Sequence, residues 1–183
     1  TEYFEPFLYF FFLEVHQLID WTKPPQSLEK ELQQITASSK TKKRFTDKLY
    51  QVWLLEGQEI WILIHIEIQS QYEESFPQRM YIYNYRAFDL YEKPVISLAI
   101  LGDERLNWRP DSYNYNLAGC ELILKFPTVK LLDYEARWSE LEASTNPFAI
   151  IVMAHLKTKA TTRNLEQRER SEEHTSELQS PCN

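Results

Sequence analysis

Three glycines in 183 residues are too few for the common glycine-dependent sites. A G-x-G-x-x-G dinucleotide loop, a phosphate-cradling P-loop and a G-x-S-x-G nucleophile elbow each need glycines close together. Gly57, Gly102 and Gly119 stand far apart, so no nucleotide cofactor and no serine elbow is expected. Cysteine is equally scarce. Cys120 and Cys182 lack the C-x-x-C spacing of a structural zinc site, and a reducing, cytoplasmic setting is the expectation. Long apolar runs are missing as well. Residues 7–13 form the longest run near the start, well short of the roughly 20 residues of a membrane span, and Glu14, His16 and Asp20 follow closely. No charged leader with a small-residue cleavage site is visible, so no membrane role is expected. An excess of cations is also absent. At a formal charge of −7 the chain has no global attraction to a polyanion, and any nucleic-acid contact must come from local Lys and Arg or from metal ions.

What is present suffices for a core. A composition of 43% hydrophobic and 26% charged residues fits one ordinary globular domain and excludes disorder, collagen and coiled coil for the whole. The chain begins at Thr1, and its last stretch, R-S-E-E-H-T-S-E-L-Q-S-P-C-N, looks like a translated DNA-sequencing adapter. Beyond Arg163 the chain is nearly all polar, with Leu165 and Leu178 too isolated to form an apolar face. We therefore expect a domain over residues 1–169, truncated at both ends, and a non-native, disordered tail over 170–183.

Along the chain, residues 4–19 are apolar almost all round and predict a buried helix, with Pro6 in its first turn. Leu28, Leu32 and Ile35 recur at helical spacing behind Ser27, a candidate N-cap. Residues 45–55 and 59–69 predict a hairpin around residues 56–58. The second of these strands reads E-I-W-I-L-I-H-I-E-I-Q. Its isoleucines share one face, and Trp61, Leu63, His65, Glu67 and Gln69 share the other. Ser75-Phe-Pro-Gln78 is a capping box opening a helix that runs to about Tyr91. Then come a buried strand over 94–101, antiparallel strands over 113–132, and helices near 134–143 and 147–157. The expected class is α/β with a mixed central sheet flanked by helices.

Polar residues on an otherwise apolar central strand need compensation for their desolvation. If residues 56–58 are the hairpin loop, Leu55 opposes Glu59 and Asp47 lies directly across from Glu67, with β-carbons about 5 Å apart. Two carboxylates that close repel unless a cation or a proton lies between them. A two-residue loop shifts the register by one and turns Asp47 away.

An acidic residue on one hairpin strand, an E-x-Q or E-x-K triplet on the next, and then a helix resembles the PD-(D/E)XK nuclease pattern. More narrowly, R-F-T-D-K-L-Y-Q-V-W-L, W-I-L-I-H-I-E-I-Q-S-Q and R-M-Y-I-Y-N-Y-R-A-F-D are similar to the bacterial recombination-promoting nuclease (Rpn) family, also labelled transposases. P-V-I-S-L-A-I-L, N-W-R-P-D, F-P-T-V-K-L-L-D-Y and N-P-F-A-I-I-V-M-A-H-L-K extend the likeness over roughly residues 3–169.

The resemblance implies a restriction-endonuclease-like core of αβββαβ order with extra C-terminal strands and helices. It also implies Mg²⁺-dependent cleavage of DNA, linked to recombination or mobile DNA, with Mn²⁺ as a substitute metal. Acting as a bacterial cytoplasmic protein, the chain would associate with the nucleoid. Asp47 and Glu67 would hold the metal with the backbone carbonyl of Ile68, and Glu31 is a further candidate ligand. Gln69 stands where the wider superfamily has lysine; an amide can orient water or donate to a phosphate oxygen but brings no positive charge. Arg79, Tyr83 and Arg86, spaced i, i+4 and i+7 on the following helix, are candidates to meet DNA, with His65 beside them on the strand. Each has a plainer alternative. Asp47 can pair with Lys48 on an edge strand, Gln69 can be a strand-end amide, His65 a hydrogen-bonded core residue, and Glu31 and the arginines a solvated face. The stripe Tyr81, Tyr85 and Phe88 is expected to be core. The rival function is a nuclease-like module that binds DNA or protein without cutting. A DDE-type transposase finds no support, because the carboxylates cluster on one hairpin.

Overall fold

Isoleucines at every second position from 60 to 66 build the strand Glu59–Glu67 at the centre of the sheet. The computed structural model describes residues 2–37, 48–67 and 74–178, with backbone alone at 63–67 and 163–178. Its elements are α1 (Phe4–Phe11), α2 (Leu13–Leu18), β1 (Gln26–Ser27), α3 (Glu29–Ala37), β2 (Lys48–Trp53), β3 (Glu59–Glu67), α4 (Phe76–Tyr91), β4 (Val95–Leu101), β5 (Ser112–Leu117), β6 (Cys120–Lys125), β7 (Thr128–Lys130), a 3₁₀ segment (Leu131–Arg137), α5 (Trp138–Ala143) and α6 (Pro147–Leu178). Five strands form one mixed sheet in the order β1-β2-β3-β4-β7, and β5 and β6 form a separate hairpin. β1–β2 and β2–β3 are antiparallel; β3–β4 and β4–β7 are parallel. The architecture is α/β, a mixed sheet flanked by helices. Among the described residues, two strands rather than three lie between α3 and α4. The chain divides into two compact units, Thr1–Asp133 and Tyr134–Asn183.

One face of the sheet is sealed by α3 and α4. Leu28, Leu32 and Ile35 pack with Leu49, Trp61, Tyr83 and Ala87 in one buried cluster, as helical spacing predicts. Ser27 does not cap α3. It pairs with Tyr50 in β1, and the Leu28 carbonyl accepts the first helical bond, from Leu32. Over residues 4–19 the chain kinks at Phe12 (φ −139°, ψ 60°) instead of forming one helix. Phe4, Phe7, Leu8, Phe12, Val15 and Ile19 are buried, whereas Tyr9, Leu13 and Leu18 are exposed. A helix resting on a sheet buries only one stripe, so a segment apolar all round leaves part of itself in solvent. Phe4 stacks on Tyr50, with ring centroids 4.0 Å apart.

The hairpin register differs from expectation. Leu54 N–H donates to Gln58 O (2.8 Å), Gly57 N–H donates to Leu54 O (2.8 Å), and Gly57 has φ +88°. The loop is therefore residues 55–57. A three-residue hairpin loop is a type I turn followed by a left-handed residue, so glycine must occupy its last place rather than its middle. Trp53 consequently opposes Glu59, and Lys48 opposes Ile64 instead of Ile66. A shift of two residues keeps the alternation of faces, and it removes the Leu55–Glu59 pairing from which the Asp47–Glu67 opposition was drawn, Asp47 itself lying outside the described residues.

α4 starts at Phe76 as read, yet no side-chain cap bond forms at Ser75, so the capping box does not close. In the second unit, Asn146 caps α6 by accepting from Phe148 N–H through Oδ1 (3.0 Å), ahead of Pro147 in the first turn. Leu141 of α5 and Ala149, Val152 and Leu156 of α6 are buried. The backbone of α6 stays helical through residues 170–178, where no structure was expected. Extending a formed helix costs little for residues such as Glu, Arg and Gln, because nucleation is already complete.

α4 ends on Glu92, a non-glycine residue in the left-handed region (φ 51°, ψ 33°) whose N–H closes onto Phe88 O. Glycine adopts this conformation without the β-carbon clash, offset by its freer unfolded chain. Glu92→Gly is expected to stabilise the protein by about 0.5–1 kcal/mol, read as a higher urea midpoint at unchanged m-value.

Candidate functional site

Because β3, β4 and β7 run parallel, their C-terminal ends share one edge of the sheet. Glu67, Leu101 and Lys130 form one row across it, Glu67 beside Leu101 and Leu101 beside Lys130. In open α/β sheets this edge is where ligands bind.

Two residues past Leu101, Asp103 meets Lys130. The ammonium donates to both carboxylate oxygens at 2.7 Å, and the two side chains are 1% and 0% exposed. Taking both charges out of water costs several kcal/mol per ion unless other hydrogen bonds satisfy them. Here they do. Lys130 Nζ also donates to the carbonyls of Arg105 (2.8 Å) and Trp108 (3.1 Å), and it lies 5.6 Å from the centre of the Trp108 ring. Asp103 Oδ1 accepts from Arg105 N–H (2.8 Å). The loop 102–111 is pinned further along its length. Thr128 Oγ1 donates to Pro110 O (2.8 Å) and Phe126 N–H to Asp111 O (2.8 Å). Arg109 holds Asp133 through two bonds of 2.6 Å.

The first turn of α4 closes the same edge. Phe76 and Met80 pack with Ala99, Leu101 and Phe126, and Trp108 meets the Phe76 ring edge-on at 5.6 Å. Arg79 is buried here, its guanidinium 5.2 Å from the Phe76 ring centre. The edge thus carries Asp103, Lys130 and Arg79 around an aromatic floor, in the row where the backbone places Glu67.

Asp47, Ile68 and Gln69 lie outside the described residues, and Glu67 and His65 are placed by backbone alone, at the register positions of Leu101 and Ala99. Glu31 is on α3 close enough to Tyr91 to help raise that phenol's pKa, after burial as the main cause. Tyr91 packs on Trp61, six residues before Glu67 and so roughly 20 Å away along β3; Glu31 is not brought to the Glu67 row. Among the described residues, no group of three or more His, Cys, Asp or Glu is arranged to hold a metal.

The proposed DNA-facing stripe of α4 is corrected. Tyr83 is 2% exposed in the core, and Arg86 donates from Nη1 to Ile35 O (2.9 Å), tying α4 to the end of α3. Tyr83 presents no solvent face for phosphate, and neither does Arg79, itself buried; Arg86 is half-buried with one guanidinium nitrogen spent on that carbonyl. The stripe expected in the core is instead outside: Tyr85 and Phe88 are exposed, and Tyr81 stacks on Tyr113 of the β5–β6 hairpin at 5.1 Å. Periodicity defines both stripes, and arginine and tyrosine stems are apolar enough to bury.

Sequence reasoning missed Asp103 and Lys130. A signal existed, because Lys130 stands in T-V-K-L-L, a charge inside an apolar run like that of Glu67. Comparison with known proteins places no relative beside this chain: no family model, curated protein or solved structure matches it.

Removing one partner of a buried pair leaves an uncompensated charge, whereas replacing both by apolar groups of similar size is close to neutral. Lys130→Ala should therefore cost about 3–5 kcal/mol, and Lys130→Met with Asp103→Leu much less, measured by urea denaturation.

The Arg109 hydrogen bonds hold the Asp133 carboxyl below its ordinary value. The resulting stability is fully present above the unfolded carboxylate pKa and is lost as pH falls through the depressed folded one. Both groups are about half exposed, so Asp133→Asn should cost less than about 1 kcal/mol at pH 7. At pH 2.5 the difference from wild type should shrink, which urea midpoints at both pH values will show.

Proposed function

We propose that this chain is a Mg²⁺-dependent DNA endonuclease of the recombination-promoting kind, on a restriction-endonuclease-like core. The carrying observation is the E-x-Q triplet at the end of β3. Its Glu67 occupies the C-terminal row of the parallel strands, within an ordered set of sequence blocks that resemble that family. A mixed sheet in which α4 is the next described element after β3 is compatible with such a core. No helix among the described residues is long and apolar enough to cross a membrane.

The donor set suits a hard cation. Magnesium takes oxygen ligands and keeps several waters, so two carboxylates and a carbonyl are an adequate protein share. Asp47, Glu67 and the Ile68 carbonyl would hold it, with Mn²⁺ as substitute. The bound ion supplies a more acidic water and charge stabilisation at the scissile phosphate. The Gln69 amide would donate its N–H to a phosphate oxygen or orient an attacking water. DNA enters as a local partner, because the net charge of −7 gives no general attraction.

The test is nicking of supercoiled plasmid with and without Mg²⁺. Asp47→Ala and Glu67→Ala should each abolish metal-dependent cleavage while the protein stays folded. Gln69→Lys should keep or raise the rate, and Gln69→Leu should lower it roughly ten- to a thousandfold, the scale of one positioned donor. Equal rates for Leu and Gln at position 69 would instead favour a nuclease-like module that binds without cutting.

A further inference from the structure

The β5–β6 hairpin stands apart from the five-stranded sheet. It turns at Ala118 and Gly119, both with positive φ (53° and 83°), a two-residue loop whose twist suits a hairpin. Tyr113 stacks the base of the hairpin on Tyr81 of α4. Further out there is less cover: Tyr115, Leu117 and Ile123 are 43%, 75% and 55% exposed. Two strands alone are marginal in water, whereas a wider sheet with an apolar face is stable.

The ladder shows which backbone groups are left over. Just below it Phe126 N–H donates to Asp111 O (2.8 Å), and hydrogen-bonded pairs alternate from there. The N–H and C=O of Leu124, Leu122 and Cys120 therefore turn toward β5, and those of Glu121, Ile123 and Lys125 turn outward. Among the described residues, no strand pairs with β6 on that outer side, and no backbone bond from another element reaches these three residues. Such an edge is a template for another strand.

The edge sequence, C-E-L-I-L-K, is complementary to itself. Laid antiparallel to a second copy with Ile123 on a two-fold axis, Glu121 opposes the copy's Lys125, and Lys125 opposes its Glu121. Leu122 opposes Leu124 on the face that carries Tyr113 and Tyr115. Outward N–H groups meet outward C=O groups at all three positions. Centring on Glu121 or Lys125 sets like charges together. Centring on Leu122 puts Lys125 opposite Gly119, and centring on Leu124 puts Glu121 opposite Pro127. Charges on an edge strand ordinarily discourage pairing, but in the Ile123 register each finds its opposite.

We propose that β6 is a dimerisation edge. Two copies of this chain pair β6 with β6 about a two-fold axis at Ile123, giving one four-stranded antiparallel sheet in the order β5-β6-β6-β5. The contact is isologous, so it closes at two copies. It does not depend on the endonuclease reading, and its test reads mass rather than cleavage.

The experiment is sedimentation velocity of the full chain from micromolar to submillimolar concentration. The wild type should pass from monomer to dimer as concentration rises. Glu121→Lys and Lys125→Glu each set like charges opposite one another twice, and each should weaken the dimer about ten- to thirtyfold. An equimolar mixture of the two variants should restore wild-type affinity, because every opposed pair is then of opposite sign. Both side chains are exposed, so circular dichroism of either variant should match the wild type. A wild type that stays monomeric throughout would overturn the proposal. A dimer indifferent to both reversals, or a weakened one that the mixture does not restore, would overturn this edge and register even if the chain associates elsewhere.

Discussion

The parallel pairing of β3 with β4, and of β4 with β7, is the constraint from which the arrangement of the first unit follows. Parallel neighbours cannot be joined by a tight turn, so each pairing needs a crossover. α4 provides the first, and its inner face becomes the cover of the sheet. Loop 102–111 and the β5–β6 hairpin provide the second. The strands between these covers read as near-continuous apolar runs, V-I-S-L-A-I-L in β4. Charged groups are left with the strand ends, where Glu67, Asp103 and Lys130 sit.

The same constraint explains why a buried ion pair is tolerated. Lys130 lies in the last position of β7, at the margin of the sheet, where a neighbouring loop can bring backbone carbonyls to an ammonium. In mid-strand those carbonyls belong to the ladder and are already engaged. The Asp103 carboxylate is reached through a loop that has just left the sheet, so both ions find partners the ladder does not supply. In the second unit two cations lie over aromatic rings, Arg137 at Tyr134 and Lys157 at Trp138.

α4 illustrates how far a periodic pattern carries. Two stripes were legible on it, one of Arg79, Tyr83 and Arg86 and one of Tyr81, Tyr85 and Phe88. Residue type favoured burying the second, and the fold buries Arg79 and Tyr83 of the first. Asn84 belongs with the inner face as well, donating to Val95 O and Ser97 Oγ at 3.0 Å. The outer tyrosines are not idle: Tyr81 stacks on Tyr113, so the helix carries the β5–β6 hairpin on its outer side. Nothing in a single helix tells which of its stripes will have two partners to satisfy.

The chain by itself determined most of the elements. Isoleucine alternation made β3 and the spacing of Leu28, Leu32 and Ile35 made α3, because these are local consequences of backbone geometry and side-chain period. The hairpin loop was nearly legible too: the left-handed demand at its last position put Gly57 there, a rule available from the residues alone. The tertiary structure decided what depends on distant partners. It set which stripe of α4 faces inward, and it kept Glu31 near Tyr91 rather than at the Glu67 row. It also paired Asp103 with Lys130, residues 27 apart in the chain that share no local pattern. They meet because β4 and β7 lie side by side, and adjacency in a parallel sheet is settled by crossovers and burial rather than by any stretch of sequence read alone.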